Sequence, residues 1–285
     1  MNRTASYLRI LFLALSGLFC FCYPFAVIGV AFDVKPPFSL DWAGSFLLFL
    51  EGSILLLAAM FFYAPVRVLC AGACVIILSY LVETLGANTG FPFGLYHYTP
   101  VLFPRLPGGV PLAVMFAWVL VVFGSYGIVK RRPSAKRGVI VGTALLGAIL
   151  ATLLDLAIEP VAAHVVFYWK WLDQGALDYY GVPWMNFVAW FVVAFVLLGL
   201  VYVVLQRERN AAEVSQREQV VWKNVQQMGK VERLAMLVPG ILFLCSLFMF
   251  GLVDLTHGYY WGAICALCAV IIILTKPLIA RRRIW

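Results

Sequence analysis

Long apolar runs separated by short polar segments extend along the whole of this 285-residue chain. Eight of these runs hold roughly 18–24 residues, and helices of that length can cross a hydrocarbon layer about 30 Å thick. The runs lie near residues 8–31, 41–62, 66–86, 110–129, 138–158, 184–205, 236–254 and 258–275. The pattern predicts an all-α bundle of about eight membrane-spanning helices, which form a single integral membrane domain over residues 1–285.

The composition favours the same class of protein. Hydrophobic residues make up 64% of the chain and charged residues 12%, against roughly 45–50% and about 25% in soluble domains. All seven cysteines lie in apolar runs, where they are typical of packing residues and do not indicate a disulfide-bonded ectodomain. The first apolar run is longer than the core of a cleaved signal peptide, so we expect it to be the first membrane helix.

Basic residues are distributed unevenly between the segments that join the apolar runs. With the N-terminus in the cytoplasm, 18 of the 21 Lys and Arg residues fall on the cytoplasmic side, and Lys35, Arg105 and Lys170 fall on the other. Such an excess reports orientation, so the net charge of +8 does not indicate nucleic-acid binding. We therefore expect a multi-pass plasma-membrane protein with both termini cytoplasmic. Residues 206–233 are expected to form an amphipathic cytoplasmic loop on the membrane surface.

A polar stretch interrupts the third apolar run, with the sequence ETLGANTGFPFGLYHY from Glu83 to Tyr98. An ionisable residue in an apolar run is costly and marks a candidate functional site. Glycines and Pro92 then predict a tightly packed loop, which is tolerated at membrane depth only if it is buried in protein or lines a cavity. Candidate site residues in and beside this stretch are Tyr80, Glu83, Asn88, Phe91, Phe93, Tyr96 and His97. The structural alternative is a loop that closes the bundle.

A second polar stretch, DLAIEPVAAH, follows the fifth apolar run. Asp155 and Glu159 are separated by four residues, so they share one face of a helix. Trp169 and Trp171 come next, and Asn186 lies in the following segment YYGVPWMNF. These five residues are candidates for the same site, although Trp is also typical of membrane interfaces without a catalytic role.

Glu51 lies alone in the middle of the second apolar run, either as a structural hydrogen-bonding group or as part of the site. A Mg²⁺–diphosphate site is not supported, because only one imperfect acidic motif is present and it lies on the side with few basic residues. The three histidines lack the helical spacing typical of zinc sites. We therefore expect neither a metal nor a cofactor.

Four segments between about residues 80 and 195 resemble a known family. They read ETLGANTGFPFGLYHY, GGVPLAVMFAW, DLAIEPVAAHVVFYWKW and YYGVPWMNFVAWF, and they are similar to the membrane-integral carotenoid 1,2-hydratases, the bisanhydrobacterioruberin hydratase type. The resemblance implies addition of water to the terminal 1,2 double bond of an acyclic carotenoid end group, without a cofactor. It also implies a carotenoid substrate taken from the bilayer, contact with membrane lipid, and other carotenoid enzymes as partners.

The chemistry of hydration suggests a role for each group of candidate residues. A carboxylic acid in an apolar site can donate a proton, and a second carboxylate can position water and take up its proton. We expect Glu83 to be the acid and Asp155 the base or water-binding group, although these roles are exchangeable, with Glu159 beside them. Aromatic rings can stabilise the intermediate cation, and the candidates are Phe91, Phe93, Tyr96, Trp169 and Trp171. Water would enter from the outer face.

Two alternatives remain open from the sequence. A carotenoid end-group cyclase begins with the same protonation, but an internal double bond captures the cation, and a dry pocket would favour this outcome. A non-catalytic carotenoid- or lipid-binding protein, or a transporter, is the alternative from another class. A transport path should place polar residues through the full depth of the membrane, whereas only Glu51 lies deep.

Overall fold

The computed structural model describes residues 3–34, 37–130, 137–172, 178–206 and 228–282, with side chains from residue 6 to residue 275 within those ranges. These residues form eight helices: α1 (Arg3–Ala31), α2 (Asp41–Met60), α3 (Pro65–Thr89), α4 (Leu112–Val129), α5 (Arg137–His164), α6 (Trp184–Gln206), α7 (Lys230–His257) and α8 (Tyr260–Arg282). The prediction of an all-α bundle is confirmed. Residues 207–227 of the predicted cytoplasmic loop lie outside the described residues.

Among the described residues, α1 to α7 are each long and apolar enough to cross a membrane, whereas the apolar part of α8 is the shorter Tyr260–Thr275. Helix α4 is the most enclosed, and it packs against α2, α3, α5, α6 and α7. The side chains of Trp118 and Phe123 on α4 are buried. Helix α1 exposes large apolar side chains such as Phe21 and Phe25, as expected for a face in contact with lipid.

Contacts at the two ends of the bundle show that α1 and α7 run in the same direction. At one end, Arg9 of α1 bonds to Glu232 at the start of α7. At the opposite end, which we call the loop end, His257 in the last turn of α7 lies 3.5 Å from Asp33, just beyond α1. The loop end also carries residues 90–111, 165–172 and 178–183, which contain the aromatic candidates. That this end faces outward, with both termini cytoplasmic, stays a prediction.

Two short antiparallel ladders cover the loop end. Strand β1 (Tyr96–Tyr98) pairs with β2 (Trp169–Trp171), and β3 (Asp178–Tyr179) pairs with β4 (Val182–Pro183). In the first pair, which we call the aromatic ladder, Tyr96 lies opposite Trp171 and Tyr98 lies opposite Trp169. Because side chains alternate along a strand, these four aromatic residues share one face. His97 and Lys170 lie opposite each other on the other face and are exposed.

Helices α3 and α5, which carry the buried acids of the site, continue further than the apolar pattern indicates. Helix α3 passes its expected end near residue 86 and continues to Thr89. It ends there because Gly90, with φ of 79°, takes the left-handed conformation. Glu83 therefore lies nearly two turns from the end of α3 rather than one. Gly86 is needed inside α3 because a Cβ there would lie 2.6 Å from Cδ2 of Phe93. Helix α5 continues through Pro160, which membrane helices tolerate.

Candidate active site

Glu83 lies on α3 beneath the aromatic ladder, and its side chain is surrounded by hydrogen-bond donors. Its Oε2 accepts hydrogen bonds from the hydroxyls of Tyr96 at 2.6 Å and Tyr98 at 2.7 Å. Its Oε1 accepts a hydrogen bond from Nε1 of Trp118 on α4 at 2.8 Å. A buried carboxyl group is costly without such partners. The two tyrosines and Trp118 therefore explain how Glu83 is accommodated in an apolar helix.

Glu159 and Asp155 lie one turn apart on α5 and share a partner, as their spacing predicts. Glu159 Oε2 accepts hydrogen bonds from Nε1 of Trp169 at 2.9 Å and of Trp171 at 3.0 Å. Nδ2 of Asn186 donates to Glu159 Oε1 and to Asp155 Oδ2, each at 3.1 Å. The remaining Asp155 oxygen, Oδ1, is buried and has no hydrogen-bond partner among the described residues. Most buried polar atoms are paired, so Oδ1 is the oxygen of these two acids with capacity for a further hydrogen bond.

The aromatic ladder joins these acids into one unit. The Tyr96 and Trp171 rings lie 5.1 Å apart and the Tyr98 and Trp169 rings 6.1 Å apart, so the tyrosines reach Glu83 while the tryptophans reach Glu159. We call Glu83, Asp155 and Glu159 the carboxyl cluster, because their charges interact with one another.

The two phenols of the ladder are held in the neutral form. Burial raises the pKa of the Tyr96 hydroxyl, and the negative charges of Glu83 and Glu159 raise it further. Burial also raises the pKa of Tyr98 well above its usual value, and the Glu83 charge adds to this rise. A phenolate beside a carboxylate would be repelled, whereas a neutral phenol donates a hydrogen bond to it. Both tyrosines therefore remain donors to Glu83.

An apolar cavity of about 800 Å³, part of it open to the surroundings, lies beside the cluster and between α2, α4, α5 and α7. The rings of Trp118, Trp169 and Trp190 line it, with Tyr168 and Glu51 among its polar residues. Trp118 and Trp190 stack with their centroids 4.1 Å apart and an angle of 18° between their planes. Two of the indoles therefore separate the cavity from the cluster, since Trp118 bonds to Glu83 and Trp169 bonds to Glu159.

Several sequence-predicted residues lie outside this unit. The Tyr80 hydroxyl donates to the Pro107 carbonyl at 2.8 Å, and Asn88 Nδ2 donates to the carbonyls of Thr84 at 2.7 Å and Gly108 at 3.4 Å. These bonds attach the loop around residues 107–109 to α3. Phe91 is 70% exposed and His97 is exposed, while Phe93 is buried beside Tyr96. The structure therefore does not bring Tyr80, Asn88, Phe91 or His97 to the carboxyl cluster.

Four aromatic residues of the site are absent from the sequence-based set of candidates. Tyr98 has a detectable signal, because it lies two residues after Tyr96 and a strand would place both on one face. Tyr168 directly precedes Trp169, but no pattern indicates that its ring lines a cavity. Trp118 and Trp190 lie within uniformly apolar helices, where sequence does not distinguish a ring facing the site from one facing lipid.

A membrane-embedded bundle with buried acids beside an apolar cavity defines a protein suited to a lipophilic ligand. Residues 44–273 match the family model described as "Carotenoid biosynthesis protein", which covers most of the chain, and the chain belongs to this family. The family resemblance seen in the sequence is thus confirmed, and the chain has a role in carotenoid biosynthesis.

A curated relative carries a more specific name. The chain is 31% identical over 113 residues to the bisanhydrobacterioruberin hydratase of Haloarcula japonica. The matched region spans 39% of this chain and 37% of that protein. No solved structure matches the chain.

Proposed function

We propose that this protein adds water across the terminal 1,2 double bond of an acyclic carotenoid end group. The observation that carries the proposal is the apolar cavity of about 800 Å³, two of whose indole walls are hydrogen-bonded to buried carboxyl groups. Ligand sites commonly combine apolar walls with a few polar groups. The lining of this cavity therefore suits a hydrocarbon end group, and the name of the Haloarcula relative supports hydration as the reaction.

The reaction needs an acid, a base and protection of a cation. A proton is added to the less substituted alkene carbon, the other carbon becomes a tertiary cation, and a water oxygen bonds to it and releases a proton. Overall, one water is added and no cofactor is consumed. The cavity indoles can stabilise the cation through their ring faces, worth about 0.5–2 kcal/mol each.

The sequence-based roles place the acid–base chemistry in the carboxyl cluster, with Glu83 as the acid and Asp155 as the base or water-binding group. The unpartnered Oδ1 of Asp155 supports a water site, because ordered water usually completes the bonding of buried polar atoms. Asn186 of α6 donates to both Asp155 and Glu159 and so holds the two acids on adjacent turns of α5. The substrate would enter from the bilayer, and we propose the plasma membrane with the loop end outward as its location.

Expression in a lycopene-producing bacterium tests the reaction, with the pigments analysed by mass spectrometry. Hydration adds the mass of one water per modified end, whereas cyclisation leaves the mass unchanged and alters the absorption spectrum. We expect Glu83→Gln and Asp155→Asn each to abolish the hydrated product while the protein stays in the membrane. Near-normal turnover by both variants would refute a catalytic role for the cluster, and an unchanged mass with a new spectrum would show a cyclase.

A further inference from the structure

Glu51 on α2 is the acid that lines the cavity. Its side chain is enclosed by the protein, with 4% of the residue exposed. Among the described residues that line the cavity no other Asp or Glu occurs. Neither carboxyl oxygen of Glu51 takes part in a hydrogen bond within the described part of the chain, which sets it apart from Glu83 and Glu159. A carboxyl group is therefore present in the apolar space without a protein partner.

In Glu83 and Glu159, by contrast, every carboxyl oxygen accepts a hydrogen bond from a protein group. Glu83 Oε1 faces the Trp118 indole and its Oε2 faces two tyrosine hydroxyls. Glu159 Oε2 faces two indoles and its Oε1 faces Asn186. An indole N–H only donates, so it cannot pass a proton from the carboxyl group behind it. A general acid must come within hydrogen-bond reach of the atom that it protonates, and Glu83 and Glu159 do not line the cavity.

The other polar side chains of the cavity do not replace Glu51. The Tyr23 hydroxyl donates to the Cys245 carbonyl at 2.8 Å, and the Ser246 hydroxyl donates to the Leu242 carbonyl at 3.0 Å. Burial raises the pKa of Tyr168 to about 12, and the nearby charge of Glu51 adds to this rise. Tyr168 is therefore a neutral phenol at physiological pH and a much weaker acid than a carboxyl group.

We propose that Glu51 is a catalytic residue that contacts the end group, protonates its alkene and recovers the proton from the water that adds. This inference rests on the proposed function and transfers the donor role from Glu83 to Glu51. The O–H bond of Glu51 breaks as the alkene electron pair forms the new C–H bond, which leaves a tertiary cation beside the Glu51 carboxylate. Water bonds to the cation, and its released proton returns to that carboxylate.

In this arrangement Glu83 and Glu159 are positioning residues. Their oxygens hold the indole N–H groups of Trp118 and Trp169, so that both rings keep their places in the cavity wall. The cation would thus form between the Glu51 carboxylate and aromatic rings, both of which stabilise positive charge. Loss of Glu83 is then expected to act through ring placement, and loss of Glu51 through the chemical step.

The test compares Glu51→Gln, Glu51→Asp and the matched control Glu232→Gln, which lies at the other end of the bundle. Each full-length variant is purified from the lycopene-producing strain and assayed for product, co-purified pigment and thermal unfolding. For Glu51→Gln we expect at least about a 100-fold loss of hydrated product, the lower range for removing a general acid. Its pigment binding and unfolding temperature should be retained, because Glu51 has no hydrogen-bond partner to lose in the part of the chain that the structure describes. Glu51→Asp should keep part of the activity.

Two results would overturn the assignment. Hydration by Glu51→Gln at the parental rate, with Glu83→Gln inactive, would return the donor role to Glu83. A lowered unfolding temperature in Glu51→Gln and Glu51→Asp alike would show a structural role. Both results leave the proposed function intact, which fails only if the parent protein itself yields no hydrated pigment.

Discussion

Replacing Glu83 with Met should destabilise the protein far more than replacing Glu51 with Met. Met is of similar size but accepts hydrogen bonds only weakly. At residue 83 the change leaves the hydroxyls of Tyr96 and Tyr98 and the indole N–H of Trp118 without their acceptor. An orphaned buried donor costs about 1–3 kcal/mol. The Tyr96 hydroxyl keeps a long contact of 3.5 Å to the backbone carbonyl of residue 83. The two donors left without any acceptor therefore predict a loss of roughly 2–6 kcal/mol in the free energy of unfolding, reduced where water reaches them.

At residue 51 the same substitution removes a carboxyl group that has no hydrogen-bond partner among the described residues. It replaces a polar group in an apolar cavity with an apolar one, which is favourable by itself. We therefore expect Glu51→Met to unfold at the parental temperature or above it. A protein that becomes more stable and less active on losing one side chain shows the trade-off typical of active sites.

Thermal unfolding of the detergent-solubilised proteins, followed by tryptophan fluorescence, measures the difference. Tyr98→Phe removes one hydrogen bond to Glu83, and Tyr96→Phe removes one to the Glu83 side chain and a long one to its carbonyl oxygen. Each substitution should cost about 0.5–1.5 kcal/mol. In a double-mutant cycle, adding either Tyr→Phe substitution to Glu83→Met should lower the free energy of unfolding less than the same substitution does in the parent protein. If Glu83→Met unfolded like the parent protein, or if its effect simply added to those of the Tyr→Phe variants, the bonding described for Glu83 would be incorrect.

Two further predictions concern the aromatic ladder and the cavity. Because the pKa values of Tyr96 and Tyr98 are raised, both phenols should stay neutral at pH 11 in the folded protein. Their contribution to stability should be lost only as the pH rises above the ordinary tyrosine pKa and through the raised pKa values of the folded state. Folded Tyr96→Phe and Tyr98→Phe should then show the same tyrosinate absorbance at pH 11 as the parent, and a clear decrease would contradict this. Gly44→Leu should reduce both pigment binding and turnover, because even a Cβ at Gly44 would overlap the Tyr168 hydroxyl at the cavity edge. Parental activity in that variant would place the substrate elsewhere.

The sequence predicts the helices well because a membrane helix needs little beyond length and apolar composition. It also predicts that Asp155 and Glu159 act together, since helical spacing alone places them on one face. The aromatic ladder was not predictable in the same way. Strand β1 pairs with β2 across more than seventy residues of chain, and three-residue strands carry no usable periodicity. Without that pairing, the link between Glu83 and Glu159 cannot be derived.

Trp118 shows the other limit of the sequence. It lies in the uniformly apolar helix α4, where every side chain is compatible with either lipid or core. Its importance comes from its position, since one edge of the ring bonds to Glu83 while the ring lines the cavity. Glu51 can be recognised in the sequence as an acid in an apolar run. The sequence does not show how it differs from Glu83, which accepts three side-chain hydrogen bonds, whereas Glu51 accepts none from the described residues.

The choice between hydration and cyclisation depends on access of water to a cation that both reactions share. Ile158 lines the cavity and shares a helical turn with Asp155, whose Oδ1 has no hydrogen-bond partner among the described residues. A water bound to that oxygen would supply the hydroxyl group without opening the cavity to bulk solvent. If Asp155 acts in this way, Asp155→Asn should slow capture of the cation more than its formation. The variant should then release unhydrated carotenoid with a shifted terminal double bond, because a cation that meets no water loses a neighbouring proton.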